Sequence, residues 1–190
     1  MKAITAEPGN MNTPTRIATK SLVLIPYEPA HLRALFHGAE EYERCSGHKV
    51  APGLLQFYHS DAVRPEWRAK LERATAPDPW TFGFAVFHHE SMTLIGSAGF
   101  VNAPGTDGVV ELAYGIAPEY QGKGYATEAA AALVPFAFST AGVRVVRAHT
   151  LPQVNASTRI LTKCGFTRVA DFLDPVDGLV WRWEKEQPKT

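Results

Sequence analysis

Pro118-Glu119-Tyr120-Gln121-Gly122-Lys123-Gly124-Tyr125-Ala126-Thr127-Glu128 joins an apolar, β-branched run to an alanine-rich one through two glycines and a lysine. Glycines let the backbone curl so that successive N–H groups point inward. A helix starting there adds unpaired N–H groups and about half a positive charge from its dipole. Lys123 adds a full charge, so the joint suits a phosphate or pyrophosphate. Two other phosphate loops fail on spacing. A dinucleotide fingerprint needs a small residue three positions after Gly124, where Thr127 stands, and an acidic residue about 20 positions further on, where Thr150 and apolar neighbours stand. The Gly-x-x-x-x-Gly-Lys-Ser/Thr pattern does not occur. Taken alone, the segment is also consistent with a glycine turn that merely starts a helix.

Outward from the joint, 109–116 reads as a strand with Val110, Leu112, Tyr114 and Ile116 on one face and Glu111, Ala113 and Gly115 on the other. A helix is expected over 122–141, stopped by Gly142. Pro135 inside it removes a backbone hydrogen bond, at roughly 3 kcal/mol in a fully helical setting, and predicts a kink or local break. A strand at 143–150, a helix at 154–164 and strands at 166–172 and 179–184 follow, so the second half runs β-α-β-α-β-β. Upstream, 80–87 and 92–101 read as a hairpin across His88-His89-Glu90-Ser91, with Trp80, Phe82 and Phe84 recurring at strand period as core. A strand at 21–25 ends at Pro26, a helix begins at Pro29 and runs to about residue 43, and 51–75 is helical material broken by Pro52 and Pro65. The expectation is one α/β domain over 19–186 after a flexible lead-in over 1–18.

The composition fits that of an ordinary globular chain: 190 residues, 45% hydrophobic, with 19 basic and 19 acidic side chains and zero formal charge. It offers no electrostatic reason to bind nucleic acid or an anionic membrane. Cys45 and Cys164 form neither a zinc framework nor a disulfide scaffold, and Pro8, Gly9, Asn10 and Pro14 interrupt any apolar leader, so a reducing cytoplasm is the expected location. The histidines show no metal-ligand spacing, and no metal is expected.

The run Gln121-Gly122-Lys123-Gly124-Tyr125-Ala126, preceded by Tyr114-Gly115-Ile116-Ala117-Pro118 and followed by Thr127-Glu128-Ala129, resembles the acyl-CoA loop of the GCN5-related N-acetyltransferase (GNAT) superfamily, Gln/Arg-x-x-Gly-x-Gly/Ala. Asn155-Ala156-Ser157-Thr158-Arg159-Ile160-Leu161-Thr162-Lys163-Cys164-Gly165-Phe166 resembles its second motif, ending in Lys-x-Gly-Phe. The opening Leu22-Val23-Leu24-Ile25-Pro26 resembles the branch that acetylates ribosomal-protein N-termini.

The resemblance implies a single-domain fold with a mixed central sheet of about six to seven strands flanked by helices. It implies acetyl-CoA as cosubstrate and a primary amine, on a small molecule or a peptide N-terminus, as acceptor, with direct attack in a ternary complex. By the same resemblance, the N–H groups of Gly122, Lys123, Gly124, Tyr125 and Ala126 cradle the CoA pyrophosphate, with Gln121 and Thr127 at the edges of the same site. The backbone of Ile116 and Ala117 pairs with the pantetheine arm, and Asn155 and Ser157 hydrogen-bond it. The local alternative for Asn155 and Ser157 is helix capping. A homodimer is compatible with the sequence but not specified by it.

Attack on a thioester needs an unprotonated amine and donors for the developing oxyanion, for which backbone N–H groups near the end of strand 109–116 are candidates. Glu111 is the candidate base, since the face it shares with Ala113 and Gly115 leaves room for a ligand; the structural alternative is an ion pair. The register that holds a tyrosine acid in many superfamily members holds Leu161 here, leaving Tyr120, Tyr125, Ser157 and water as alternatives. Cys164 reads as a buried small hydrophobe. Phe57, Tyr58, His59 and Trp67 lie where the superfamily builds its acceptor pocket, or simply anchor helices. A non-catalytic acyl-CoA sensor is the competing class.

Overall fold

In the computed structural model, residues 16–58 and 64–188 are described, except for the Phe57 side chain. Two short strands open the chain, β1 (Ile17–Ala18) and β2 (Leu22–Pro26). Four helices follow, α1 (Pro29–Leu35), α2 (Ala39–Ser46), α3 (Leu55–Tyr58) and α4 (Pro65–Arg73). The hairpin β3 (Phe84–His88) and β4 (Leu94–Phe100) leads to β5 (Val109–Ile116), a 3-10 turn at Pro118–Tyr120 and the long helix α5 (Tyr125–Phe138). Then come β6 (Val145–Thr150), α6 (Ala156–Lys163), β7 (Thr167–Asp174) and β8 (Gly178–Glu186). No helix among the described residues is long and apolar enough to cross a membrane.

The strands form one eight-stranded sheet in the order β1-β2-β3-β4-β5-β6-β8-β7. Neighbours are antiparallel except β5 and β6, which are parallel. That parallel pair meets over three rungs only, Val109 with Val145, Val110 with Val146 and Glu111 with Arg147. Both strands continue, β5 to Ile116 and β6 to Thr150, but no longer pair with each other, so a wedge opens in the sheet with Glu111 at its apex.

The β-α-β-α-β-β order of the second half is as expected, and β5 has its predicted bounds. The eighth strand is β1, in the described part of the expected lead-in; it pairs with Val23 and Leu24 and is too short to show a periodic pattern. The helix expected from Pro29 to residue 43 is two helices, because Gly38 at φ +117 takes a backbone conformation closed to other residues. The hairpin's first strand starts at Phe84, not at residue 80. Upstream, Asp78 Oδ1 accepts the N–H groups of Trp80 at 3.0 Å and Thr81 at 3.3 Å, and this turn diverts the aromatic run from the sheet.

Trp80 nevertheless packs in the core, with its ring 4.6 Å from Phe100 and 5.4 Å from Phe136, and Phe82 and Phe84 are buried. Helix α5 runs through Pro135 without a break. Pro135 and Ala131 are both exposed, so the carbonyl that Pro135 leaves unpaired faces water. Helix α5 covers the face carrying Phe100 and Leu112, while α3 lies on the opposite face, where Tyr58 reaches Ser97 of β4.

Candidate active site at the β5–β6 wedge

The phosphate-loop segment bends through two left-handed glycines, Gly122 at φ +75 and Gly124 at φ +89. A Cβ built on either would meet nothing within 4 Å, so the loop frames an open cradle. Gln121, Gly122, Lys123 and Gly124 are exposed, and Tyr125, Ala126 and Thr127 are half-buried. Gly124 is the N-cap of α5 and supplies no side-chain acceptor. The acidic residue of the first turn, Glu128, is committed elsewhere: its Oε1 accepts the Thr19 hydroxyl and the Ser21 N–H, both at 2.6 Å. The leading N–H groups of α5 are therefore left for an external anion. Lys123 extends over the Tyr120 ring, 5.1 Å from its centre, and Tyr120 and Tyr125 flank the loop together with His88.

Gln121 ties the loop to β5, its Nε2–H donating to the Ile116 carbonyl at 2.8 Å. Ala117 donates its N–H to Ile95 at 2.8 Å and is buried, so this N–H, expected toward the pantetheine arm, belongs to the β4 side. The Glu111 carbonyl likewise accepts from Val101, at 2.8 Å. Since backbone groups alternate sides along a strand, those of Tyr114 and Ile116 point into the wedge.

Across the wedge, α6 begins with a capping box. Asn155 Oδ1 accepts the Thr158 N–H, and the Thr158 hydroxyl accepts the Asn155 N–H, both at 3.0 Å. Asn155 thus takes the capping role. Ser157 is half-buried and faces Tyr114, whose hydroxyl is pushed up to about 12 by burial while the Ser157 hydrogen bond works the other way. Helix α6 ends in a Schellman motif, with Phe166 donating to Leu161 and Gly165 to Thr162, both at 3.0 Å. Leu161 and Cys164 are buried, Cys164 beside the Thr127 carbonyl with its thiol pushed up by burial.

Glu111 lies at the apex on the face opposite α5 and α6, its side chain 33% exposed. Its Oε1 is 2.9 Å from His149 Nδ1 on β6. Beyond that ring, Arg182 of β8 donates its Nε–H to His149 Nε2 at 3.3 Å. His149 stacks on Phe172, with Arg182 over the same ring 4.3 Å from its centre. Arg147, the rung partner of Glu111, is paired with Glu184 at 2.7 Å. His149 was not singled out in the sequence because it fits no ligand spacing. The available signal was its alternation with Arg147 as the polar face of β6, which Val146, Ala148 and Thr150 back with buried residues.

Of the aromatic cluster before the hairpin, Tyr58 is buried and its hydroxyl meets Tyr27 at 2.8 Å and also Ser97. Tyr27 meets Ser97 at 2.6 Å, and Ser97 pairs across strands with Gly115, on the same face as Glu111. Trp67 is half-buried, donates to the Thr81 carbonyl at 2.7 Å and packs on Phe82. His59 and the Phe57 side chain lie outside the described residues. Among the described residues, no group of three or more His, Cys, Asp or Glu could hold a metal ion.

The sequence matches the family model for the acetyltransferase (GNAT) domain over residues 21–167. The chain belongs to the GNAT acetyltransferase family. Solved structures share the fold. A GNAT-family acetyltransferase from Bacillus anthracis superposes with TM-score 0.59 at 18% identity, covering 90% of this chain and 98% of that one. An acetyltransferase from Agrobacterium tumefaciens gives 0.61 at 21% identity, covering 96% and 100%. A chimera of spermidine N-acetyltransferase SpeG from Vibrio cholerae and hSSAT gives 0.61 at 18% identity, covering 88% and 96%. A comparison with curated protein sequences finds no match. In this GNAT chain the wedge runs along one strand from its apex at Glu111 toward the end that leads to the uncapped α5 terminus.

Proposed function

We propose that the chain is an N-acetyltransferase that moves the acetyl group of acetyl-CoA to a primary amine, on a small molecule or a peptide N-terminus, by direct attack in a ternary complex. The observation that carries this reading is the open glycine cradle under an uncapped helix, placed at the end of the strand whose other end holds a carboxylate at a gap in the sheet. Glu111 and Ile116 are five residues apart, about 17 Å along an extended strand, a span suited to an extended pantetheine arm.

Bound acetyl-CoA supplies an activated acyl carbon. The N–H groups of Gly122, Lys123, Gly124, Tyr125 and Ala126, with Lys123 Nζ nearby and Thr127 at the edge, hold the pyrophosphate. Gln121 fixes the loop against β5. The wedge-facing backbone of Tyr114 and Ile116 aligns the arm, with the Tyr114 N–H, the nearer of the two to Glu111, available to the acyl oxygen. Ser157 and the Asn155 amide line the opposite wall. Glu111 takes the proton from the attacking amine as the N–C bond forms and the C–S bond breaks. A thiol of pKa about 8.5 leaves without obligatory proton donation, so no side chain is assigned that role.

Thiol release with acetyl-CoA and a panel of alkylamines, polyamines and N-terminal peptides tests the reading. Amine-dependent release is expected. Saturable acetyl-CoA binding with no release from any amine would instead indicate a sensor.

A further inference from the structure

Glu111 has two carboxylate oxygens and the structure treats them differently. Oε1 is held by His149, while Oε2 makes no hydrogen bond to the described residues and belongs to a partly exposed side chain. The proton on His149 can be located from its other partner. Arg182 Nε–H can only donate, so His149 Nε2 is an acceptor. The neutral ring then carries its hydrogen on Nδ1, aimed at a carboxylate that can only accept. Both ring nitrogens are occupied, which leaves His149 no free lone pair for a substrate.

We infer that His149 is a positioning residue: locked as its Nδ1–H form by Arg182 and stacked on Phe172, it holds Glu111 so that Oε2 alone faces the open side of the wedge. This rests on the assignment of Glu111 as base. The arrangement draws on three strands, β5 for Glu111, β6 for His149 and β8 for Arg182. The other charged groups around it are already engaged. Arg147 is paired with Glu184. Asp174 of β7 is held below its ordinary value by the N–H groups of Asp177 and Val176. Arg182 and Glu111 together fix the ring's hydrogen on Nδ1, and an ion-pair role for Glu111 does not require Arg182.

Two measurements test the inference. Nitrogen-15 NMR of the histidine side chains in the full chain without ligand is expected to show His149, assigned by His149→Asn, as the Nδ1–H tautomer. An Nε2–H tautomer in the unsubstituted protein overturns the inference without any assay. In acetyl transfer to the best amine of the panel, His149→Ala is expected to lower kcat about 10- to 100-fold with acetyl-CoA affinity unchanged. His149→Asn, whose amide N–H stands near the position of Nδ1–H, is expected to restore most of that loss. Full activity in His149→Ala, or an asparagine variant as poor as the alanine one, overturns the positioning role. Full activity in Glu111→Gln would remove the base assignment itself, and the NMR result distinguishes that failure from this one.

Discussion

The two halves of the molecule hold their shape by different means. From β5 onward, the chain relies on local devices: left-handed glycines before α5, a capping box before α6, a Schellman motif after it and strict alternation along β5. The helices between Pro29 and Arg73 have few such devices. Their N-caps at Glu28, Gly38 and Arg64 make no side-chain hydrogen bond, and they are held by contacts far apart in sequence, such as Tyr27 and Tyr58 on Ser97, Arg33 on the Leu71 carbonyl and Trp67 on Thr81. The region from β5 onward forms the uncapped α5 terminus and the gap in the sheet; the helical region packs on the face of the sheet that carries Ser97 and Glu111. Substitutions in the first should therefore change binding or turnover with little effect on stability, and substitutions in the second the reverse.

The largest effect is expected at Gly124. Gly124→Glu places bulk and a negative charge in the open cradle against the helix terminus, and acetyl-CoA affinity should fall by about 1000-fold or more. Unchanged affinity in a calorimetric titration would remove the loop assignment. Glu111→Gln comes next. It should lower kcat about 100-fold and flatten the acid side of the pH–rate profile while sparing acetyl-CoA binding; parallel loss of binding would mean that Glu111 is structural.

On the other side of the comparison, Tyr27→Phe removes one hydroxyl from the buried contact with Tyr58 and Ser97 and should cost about 1–3 kcal/mol of stability. Thermal melts check this, and acetyl-CoA affinity should not move. The smallest effect is a gradual one with pH. Tyr27 and Tyr58 are pushed above their ordinary value by burial, Tyr27 well above it, and Tyr114 is pushed up to about 12. A phenol whose folded value is raised contributes stability that is complete below its unfolded value near pH 10 and lost as pH climbs through the folded one. Denaturant melts should therefore hold level to about pH 10 and weaken between there and pH 12, less steeply in Tyr27→Phe.

The same contrast explains how much could be read from the sequence. The loop, β5, the helix before Gly165 and the burial of Cys164 were legible because each depends on residues within a few positions of one another. The break at Gly38, the Asp78 turn and β1 were not, since periodicity over so few residues is ambiguous. Of the kink or break expected at Pro135, the break is absent, because a missing hydrogen bond matters little where its carbonyl faces solvent. His149 was missed because its meaning comes from register. Only the pairing of β5 with β6 and of β6 with β8 brings it between Glu111 and Arg182.

The most direct test is calorimetric titration of the intact protein with acetyl-CoA, with NAD and ATP as controls. Saturable binding of acetyl-CoA at one site, with neither control binding, is the predicted result. Equal binding of all three, or none of acetyl-CoA, would contradict the assignment of the cradle and with it the account of the wedge as an acetyl-transfer site.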